Sequence, residues 1–310
     1  MNKKEVVVKY DLEHMPITYD SAYYLTNSVL LLRDSGYSKF YIWVKNKQFR
    51  RRTKRDYDMS EAEKSWRLEN LIVPVCNRLI GCRGVFTSEY PPNIGAPTFP
   101  EQFNLPSIGY SASVTGNLNK LTGITPVQYD SSNWAKKKVR ERLGPDGINS
   151  VSITLRQSKY FSHRNTSSEV VAQLAEYLME KGKQLIVVPD NESNCDIPND
   201  WRKKNAVSVP EIANSLDLRL ALYQWCGLNI GPSNGPIAMS FLTKNVRMLQ
   251  FDLLKSDHTG LGVETGWEQT NGFPVGQNFP WAENGSRLCW DDLNFQNIQR
   301  HIELDEDSLP

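Results

Sequence analysis

The 310-residue chain predicts an α/β fold made of two doubly wound halves, each a parallel sheet between helices. Three observations predict it. Short β-branched or aromatic runs alternate with helical periodicity along most of the sequence. Several of those runs are apolar at successive positions rather than at every second one, as in strands covered on both faces. A turn-rich segment near the midpoint, Gly144-Pro145-Asp146-Gly147-Ile148-Asn149, separates one such alternation from the next.

In the first half, Val6–Tyr10 reads as a strand, Ser21–Ser35 as a helix stopped by Gly36, and Phe40–Val44 as a second strand. The loop between the first strand and helix carries Asp11, Glu13, His14 and Asp20. A basic run follows, with Lys45, Lys47, Arg50, Arg51, Arg52, Lys54 and Arg55 around Phe49. One long amphipathic helix is expected from Ser60 to Ile80, burying Trp66, Leu68, Leu71, Val75 and Leu79. Tyr90–Pro106 reads as irregular, and Ser131–Leu143 as a helix with Trp134 and Val139 inward.

In the second half, strands are expected at Val151–Leu155, Leu185–Val188, Ala206–Val209, Leu228–Ile230 and Val246–Phe251. A capping box, Thr166-Ser167-Ser168-Glu169, opens a helix that Gly182 ends, and Asp217–Trp225 forms another. A last helix is suggested around Ile298. The expected domains are therefore 1–146 and 147–310, two Rossmann-like halves facing a cleft. In open α/β sheets ligands sit beyond the carboxyl ends of the strands, and the polar loops all follow predicted strands.

Composition narrows the classes. Hydrophobic residues are 39% and charged residues 23% of the chain, ordinary for a globular protein. A formal net charge of +1 supplies no whole-molecule attraction for nucleic acid. Only Val6-Val7-Val8 is apolar near the start, short of a secretion leader, and no window approaches the ~18 apolar residues of a membrane span. The five cysteines form no C-x-x-C pair, which argues against a zinc site and for a reducing, cytoplasmic setting.

Two stretches invite an anion. Gly231-Pro232-Ser233-Asn234-Gly235-Pro236 reads as a strand end, a turn and a helix start. Ser233 or Asn234 can cap that helix, Pro236 suits its first position, and its amides can face an anionic group such as a diphosphate. Arg156 and Arg164, in the loop after Val151–Leu155, suit the same group through paired charged hydrogen bonds. Each stretch also has an ordinary structural reading, a capped turn and a solvated loop.

Several of these residues carry a resemblance: Thr154-Leu155-Arg156, Arg164-Asn165, Val188-Pro189-Asp190, Leu218-Arg219-Leu220-Ala221-Leu222-Tyr223 and Asn229 through Pro236. Together they resemble the C-terminal half of GT-B glycosyltransferases, nearest the ADP-heptose:lipopolysaccharide heptosyltransferase-like group. The first half shares only the strand-helix-strand order. The resemblance implies a nucleotide-sugar donor on the second domain, held by Arg156, Arg164, Asn165, Asp190, Ser233, Asn234 and Gly235, and an acceptor glycan or lipid-linked sugar on the first. It also implies no cofactor and no obligatory metal. Ser233-Asn234-Gly235 stands where heptosyltransferases usually carry an Asp/Thr/Gly-type sequence.

A general base is needed to deprotonate an acceptor hydroxyl, and Asp20 or Asp11 is the candidate. Asp20 can equally cap its helix. Asp56-Tyr57-Asp58 has the D-x-D form of a metal site, but it precedes a helix rather than ending an apolar strand, and reads as a solvated helix start. The basic run Lys45–Arg55 can attract an anionic acceptor or the inner membrane face, while the absence of interleaved aromatics speaks against nucleic acid. Trp267, Phe273, Phe279 and Trp281 read as pins for a long loop. An epimerase on the same scaffold and a non-catalytic sugar-nucleotide binder are the alternatives.

Overall fold

The computed structural model describes residues 4–103, 108–157, 165–190, 205–254 and 264–306, in a chain that divides into two compact units, Met1–Asp130 and Ser131–Pro310. The first unit contains β1 (Lys4–Asp11), α1 (Asp20–Asp34), β2 (Tyr37–Lys45), α2 (Lys54–Asp58), α3 (Glu61–Arg67), α4 (Val73–Arg78), β3 (Cys82–Ser88), β4 (Thr98–Phe99) and α5 (Ala112–Thr122). Its sheet is wholly parallel in the order β3-β2-β1-β4. In the β1–β2 ladder Asp11 lies beside Lys45, so both strands end together.

Helix α1 is buried nearly all round, including Ser21, Thr26, Asn27 and Ser28. Buried polar groups need partners. Asn27 donates to the Gly109 carbonyl at 2.9 Å and accepts from Thr115 Oγ1 of α5 at 2.7 Å. Asn27 thus faces a second helix, while Ser28 donates to the Tyr24 carbonyl of its own helix at 2.8 Å, so α1 carries buried polar positions among its apolar ones.

The helix expected from Ser60 to Ile80 is interrupted. Ser60 caps α3 by accepting the Glu63 N–H at 3.1 Å, but Leu68–Ile72 widens into a π-helical turn before α4 begins. Pro74 is the physical cause, since it offers no N–H and its ring crowds the carbonyl four residues back. With the phase broken, Leu68, Leu71 and Val75 stay buried while Trp66 is 44% exposed. Strand β3 had no sequence signal because it is a half-exposed edge strand carrying Arg83 and Gly84. Short β4 lies inside the segment expected to be irregular.

The second unit contains α6 (Asn133–Leu143), β5 (Ser150–Thr154), α7 (Ser168–Glu180), β6 (Gln184–Val188), β7 (Ala206–Ser208), α8 (Pro210–Ala213), α9 (Leu216–Trp225), β8 (Leu228–Pro232), α10 (Gly235–Ser240), β9 (Met248–Phe251), α11 (Glu264–Asn271), β10 (Arg287–Leu288) and α12 (Phe295–Glu306). The sheet is parallel throughout, in the order β10-β9-β8-β5-β6-β7. Read from the other edge in sequence rank, this is 3-2-1-4-5-6, the doubly wound dinucleotide-fold order. Both units are thus α/β with parallel sheets, as the sequence predicts.

Strand alternation sorts the core onto two faces. Leu185 and Val187 of β6 pack with Val171, Leu174 and Leu178 of α7 and with Ile298 and Ile302 of α12. Ile186 and Val188 face the other way, toward Ala135 and Val139 of α6 and Ala221, Leu222 and Cys226 of α9. Helix α6, read from sequence as the end of the first half, therefore packs in the second unit. Ser132 caps it by accepting the Ala135 N–H at 3.0 Å, and Asp217 of α9 accepts both the Ser132 N–H at 2.8 Å and its hydroxyl at 2.6 Å. Trp134, expected inside, is 57% exposed because Ala135 takes the inward position.

The expected linker is packed rather than loose. A Cβ on Gly147 would lie 2.2 Å from the Trp225 carbonyl oxygen, and one on Gly227 would lie 2.1 Å from that of Ile148. The Gly227 N–H donates to the Gly147 carbonyl at 2.9 Å, and Trp225 Nε1 donates to Gly144 at 3.1 Å. Those glycines serve close backbone contact, not flexibility.

Candidate functional site

In the second unit the strand order reverses between β5 and β8, and the loops leaving these strands bound the crevice where an open α/β sheet binds ligand. Arg156 follows β5. Its N–H donates to Thr166 Oγ1 at 3.1 Å and its carbonyl accepts the Thr166 N–H at 2.9 Å, so the base of its loop is tied on both sides. Thr166 is thereby used in the loop, and Ser167 takes over the cap of α7, accepting from Glu169 N–H at 3.2 Å. The capping box expected from Thr166 to Glu169 does not form.

Asp190, just past β6, accepts the Gln157 N–H at 2.8 Å. This fastens the residue after Arg156 to the neighbouring strand end. Asn165 is half-buried beside Thr166. Arg164 lies outside the described residues, as do His163 and His258.

The turn after β8 is built by its neighbours. A Cβ on Gly231 would meet Ile237 Cδ1 at 2.7 Å, so this glycine makes room for the start of α10. The Ser233 N–H donates to the Phe251 carbonyl at 2.8 Å. Asn234 is the cap, accepting the Ile237 N–H at 3.1 Å. Pro236 has no N–H. Two of the first-turn donors are thus consumed or missing, which leaves the Asn234 and Gly235 amides for any anion. Helix α10 has six residues, so its dipole adds little beyond those two groups.

Beneath this crevice lies a buried polar set that sequence reading did not single out as a group. Ser152 Oγ donates to Asn229 Oδ1 at 2.6 Å across the β5–β8 pair. Thr154 Oγ1 lies 2.7 Å from Tyr223 Oη. Arg219 and Tyr223 are one turn apart on α9, a spacing that was the available signal.

In the first unit the strand order reverses between β1 and β4. Asp11, at the end of β1, accepts from Lys45 Nζ at 2.8 Å and from the Glu13 N–H at 3.2 Å, with Lys9 at 3.4 Å. Burial works against its charge, but the Lys45 hydrogen bond, the Glu13 N–H and the charges of Lys45 and Lys9 outweigh it and hold the carboxyl below its usual range. A carboxylate so stabilised is a weak base. Asp20 is different: it is exposed, opens α1, and accepts from Thr18 Oγ1 at 2.7 Å. It is not the cap, since Tyr19 holds that position, with no side-chain capping bond to the helix.

A depression of about 690 Å³ opens beside this edge, lined by Glu13 and His14, by Lys47, Phe49, Arg51 and Arg52 of the loop after β2, and by Glu61 of α3. Three cations of the basic run are paired around it. Lys47 pairs with Glu89 at 2.6 Å, Arg50 with Asp56 at 3.3 Å and Arg51 with Glu61 at 3.7 Å. Asp56 also accepts the Arg52 and Thr53 N–H groups at 3.0 and 2.9 Å while Thr53 Oγ1 accepts the Asp56 N–H. This reciprocal cap consumes the first carboxylate of the D-x-D sequence. Among the described residues, Asp11, Glu13 and His14 are the one grouping with metal-ligand proximity, each offering an atom within 4.8 Å of the others. Asp11 is already claimed by Lys45.

The aromatics Trp267, Phe273, Phe279 and Trp281 are buried and in mutual contact, with Phe279 and Trp281 stacked at 4.9 Å. Among the described residues, no helix is long and apolar enough to cross a membrane.

No protein-family model matches the sequence, and no curated protein does. Solved structures do. The chain is similar to Escherichia coli ADP-heptose lipopolysaccharide heptosyltransferase II, at 10% identity and a TM-score of 0.53, covering 98% of this chain and 100% of that one. It is also similar to a glycosyl transferase family 9 protein from Veillonella parvula, at 9% identity and 0.49, covering 97% and 96%. A third match is E. coli heptosyltransferase WaaC with ADP-2-deoxy-2-fluoro heptose, at 9% and 0.44, covering 97% and 99%. The fold assignment rests on the first of these. The chain has the GT-B glycosyltransferase fold, like that of the heptosyltransferases.

Proposed function

We propose that the protein is a glycosyltransferase that moves a sugar from a nucleotide-sugar donor to a glycan or lipid-linked acceptor. The observation that carries this reading is the reversal of strand order between β5 and β8, with Arg156 leaving one strand and Ser233-Asn234-Gly235 leaving the other. The GT-B fold supports it. Arg156, Arg164 and the Asn234 and Gly235 amides hold the donor diphosphate, Asn165 and Ser233 border it, and Asp190 fixes the Arg156 loop.

In the reaction, Asp20 takes the proton of an acceptor hydroxyl, the freed oxygen attacks the anomeric carbon, and the bond from that carbon to the phosphate oxygen breaks. The nucleoside diphosphate leaves with an added charge that Arg156 stabilises. Asp11, tied to Lys45, serves structure rather than proton transfer. The reading requires no metal. The acceptor occupies the first unit, and Arg52, in the lining of the depression there, favours one that is anionic or held at a membrane surface.

The test is ligand-induced thermal stabilisation with UDP-, GDP-, ADP- and CMP-sugars, followed by donor hydrolysis assays. A ligand that binds only the folded state raises the midpoint saturably. Silence toward every nucleotide would sink the reading. Arg156→Ala is expected to weaken binding by about 1.5–3 kcal/mol.

A further inference from the structure

The loop after β2 is fastened on both sides of its basic residues. The Arg50 N–H donates to the Leu12 carbonyl at 2.6 Å, and Arg50 Nη1 donates to Tyr110 Oη at 3.0 Å. Asp56, buried at the start of the next helix, accepts the Arg52 and Thr53 N–H groups and pairs with Arg50 at 3.3 Å. Arg50 and Asp56 therefore satisfy each other and the backbone between them. In doing so they hold Arg51 and Arg52 in the lining of the depression of about 690 Å³ before any ligand arrives. A loop ordered in advance loses little freedom on binding.

The charges left over decide what fits. Glu61 faces two cations, the buried Lys64 at 2.8 Å and the exposed Arg51 at 3.7 Å, so this set keeps one positive charge. The Arg51 contact is long and solvated, and such a pair contributes little. Arg52 is exposed and has no ion pair among the described residues, which adds a second positive charge to the same wall. A carboxylate needs only one guanidinium fork, whereas a phosphomonoester carries about 1.5–2 negative charges on three acceptor oxygens. From the loop after β1, Glu13 enters the lining. Its nearest cation, Lys45 at 3.8 Å, already serves Asp11 at 2.8 Å, so the Glu13 carboxylate can accept hydroxyl groups. Phe49 adds apolar surface for the C–H face of a sugar ring. The Lys64 ammonium steadies that ring at 6.0 Å from its centroid.

We propose that this depression binds a sugar phosphate, with the phosphomonoester on Arg51 and Arg52, the hydroxyls on Glu13 and the ring against Phe49. Naming that ligand as the acceptor rests on the glycosyltransferase reading above. Asp56 is a positioning residue for it. Its carboxylate fixes the Arg52 and Thr53 amides and so sets where the guanidinium groups stand. The first carboxylate of the D-x-D sequence thus acts on the ligand through the backbone of the basic loop.

Calorimetric titrations of the full chain with glucose 6-phosphate, glucuronate, glucose and inorganic phosphate test the proposal. Glucose 6-phosphate is expected to bind at least tenfold more tightly than glucuronate or inorganic phosphate, and glucose to give no saturable heat. Arg52→Ala should lower glucose 6-phosphate affinity at least tenfold, with partial recovery in Arg52→Lys. Glu13→Gln should lower it at least threefold and leave inorganic phosphate within twofold. Asp56→Ala should lower the ratio of glucose 6-phosphate to glucuronate affinity at least threefold. Asp56→Asn, whose amide oxygen still accepts both N–H groups, should restore that ratio. Arg52 is exposed and its variants keep the fold, so they decide should Asp56→Ala fail to fold by circular dichroism. Glucuronate or inorganic phosphate binding as tightly as glucose 6-phosphate, or wild-type affinity in Arg52→Ala, would overturn the proposal. Binding of glucose 6-phosphate by a chain that no nucleotide sugar stabilises upholds this site and defeats the glycosyltransferase reading. Stabilisation by a nucleotide sugar without binding of glucose 6-phosphate defeats this inference alone.

Discussion

Asp11 and Lys45 end adjacent parallel strands in register, and their side chains meet at 2.8 Å. Asp11 is held below its ordinary range in the folded chain: burial opposes the charge, and the Lys45 hydrogen bond with its companions prevails. An unfolded aspartate titrates near ~3.9. The folded value is lower, so the pair's stabilisation is fully present above that pH and is lost as pH falls through the folded pKa. Urea melts of wild type and Asp11→Asn should differ by about 1–3 kcal/mol at pH 7 and converge toward pH 2. A gap independent of pH would refute the ionic account.

The contrast between the two carboxylates is also testable. With a donor and acceptor that react, Asp20→Asn should reduce turnover by on the order of a hundredfold or more, as expected for loss of a general base. Donor affinity should stay within twofold. Equal turnover in the variant would remove Asp20 from the chemistry.

Asn234 holds the start of α10 through the Ile237 N–H. Asn234→Ala should cost about 1 kcal/mol of stability, whereas Asn234→Ser should cost a few tenths. Chemical denaturation measures both. No difference between alanine and serine would argue that the cap contributes nothing.

Gly231→Ala puts a methyl group 2.7 Å from Ile237 Cδ1. Overpacking of this kind costs about 1–3 kcal/mol. The double variant Gly231→Ala with Ile237→Val should recover part of that loss, because the clash is with the far end of the isoleucine. Full additivity of the two changes would show that the contact is not the cause.

Asp217 accepts two hydrogen bonds from Ser132, the cap of α6. Asp217→Ala should destabilise the chain by about 1–3 kcal/mol and speed proteolysis within α6. Unchanged cleavage there would mean that α6 is held by its apolar face alone.

Much of the fold was legible because parallel strands buried on both faces announce themselves. Val6-Val7-Val8 and Leu185-Ile186-Val187-Val188 admit no polar position, and caps and glycine stops mark the helices between them. The polar loops at the strand ends followed from the same pattern. Less legible was anything set by contacts distant in sequence. Trp66 and Trp134 look like core residues by spacing, yet Pro74 shifts the phase of one helix and Ala135 takes the inward place in the other. Gly147 looks like a hinge until Trp225 packs against it. Edge strand β3 carries too little apolar signal to announce itself.

The amino-acid order alone settles the alternation of strand and helix, the parallel architecture and the loops where polar chemistry gathers, because periodicity and turn chemistry are local. Which side chains in those loops remain available for chemistry is a matter of three-dimensional neighbours. Lys45 claims Asp11 because two strands end in register, Asn234 takes the Ile237 amide that the loop would otherwise offer an anion, and Tyr223 of α9 meets Thr154 at the end of β5 across 69 residues of sequence. Hydrogen bonds are short-ranged and directional, so only the folded arrangement selects which of the candidate groups meet.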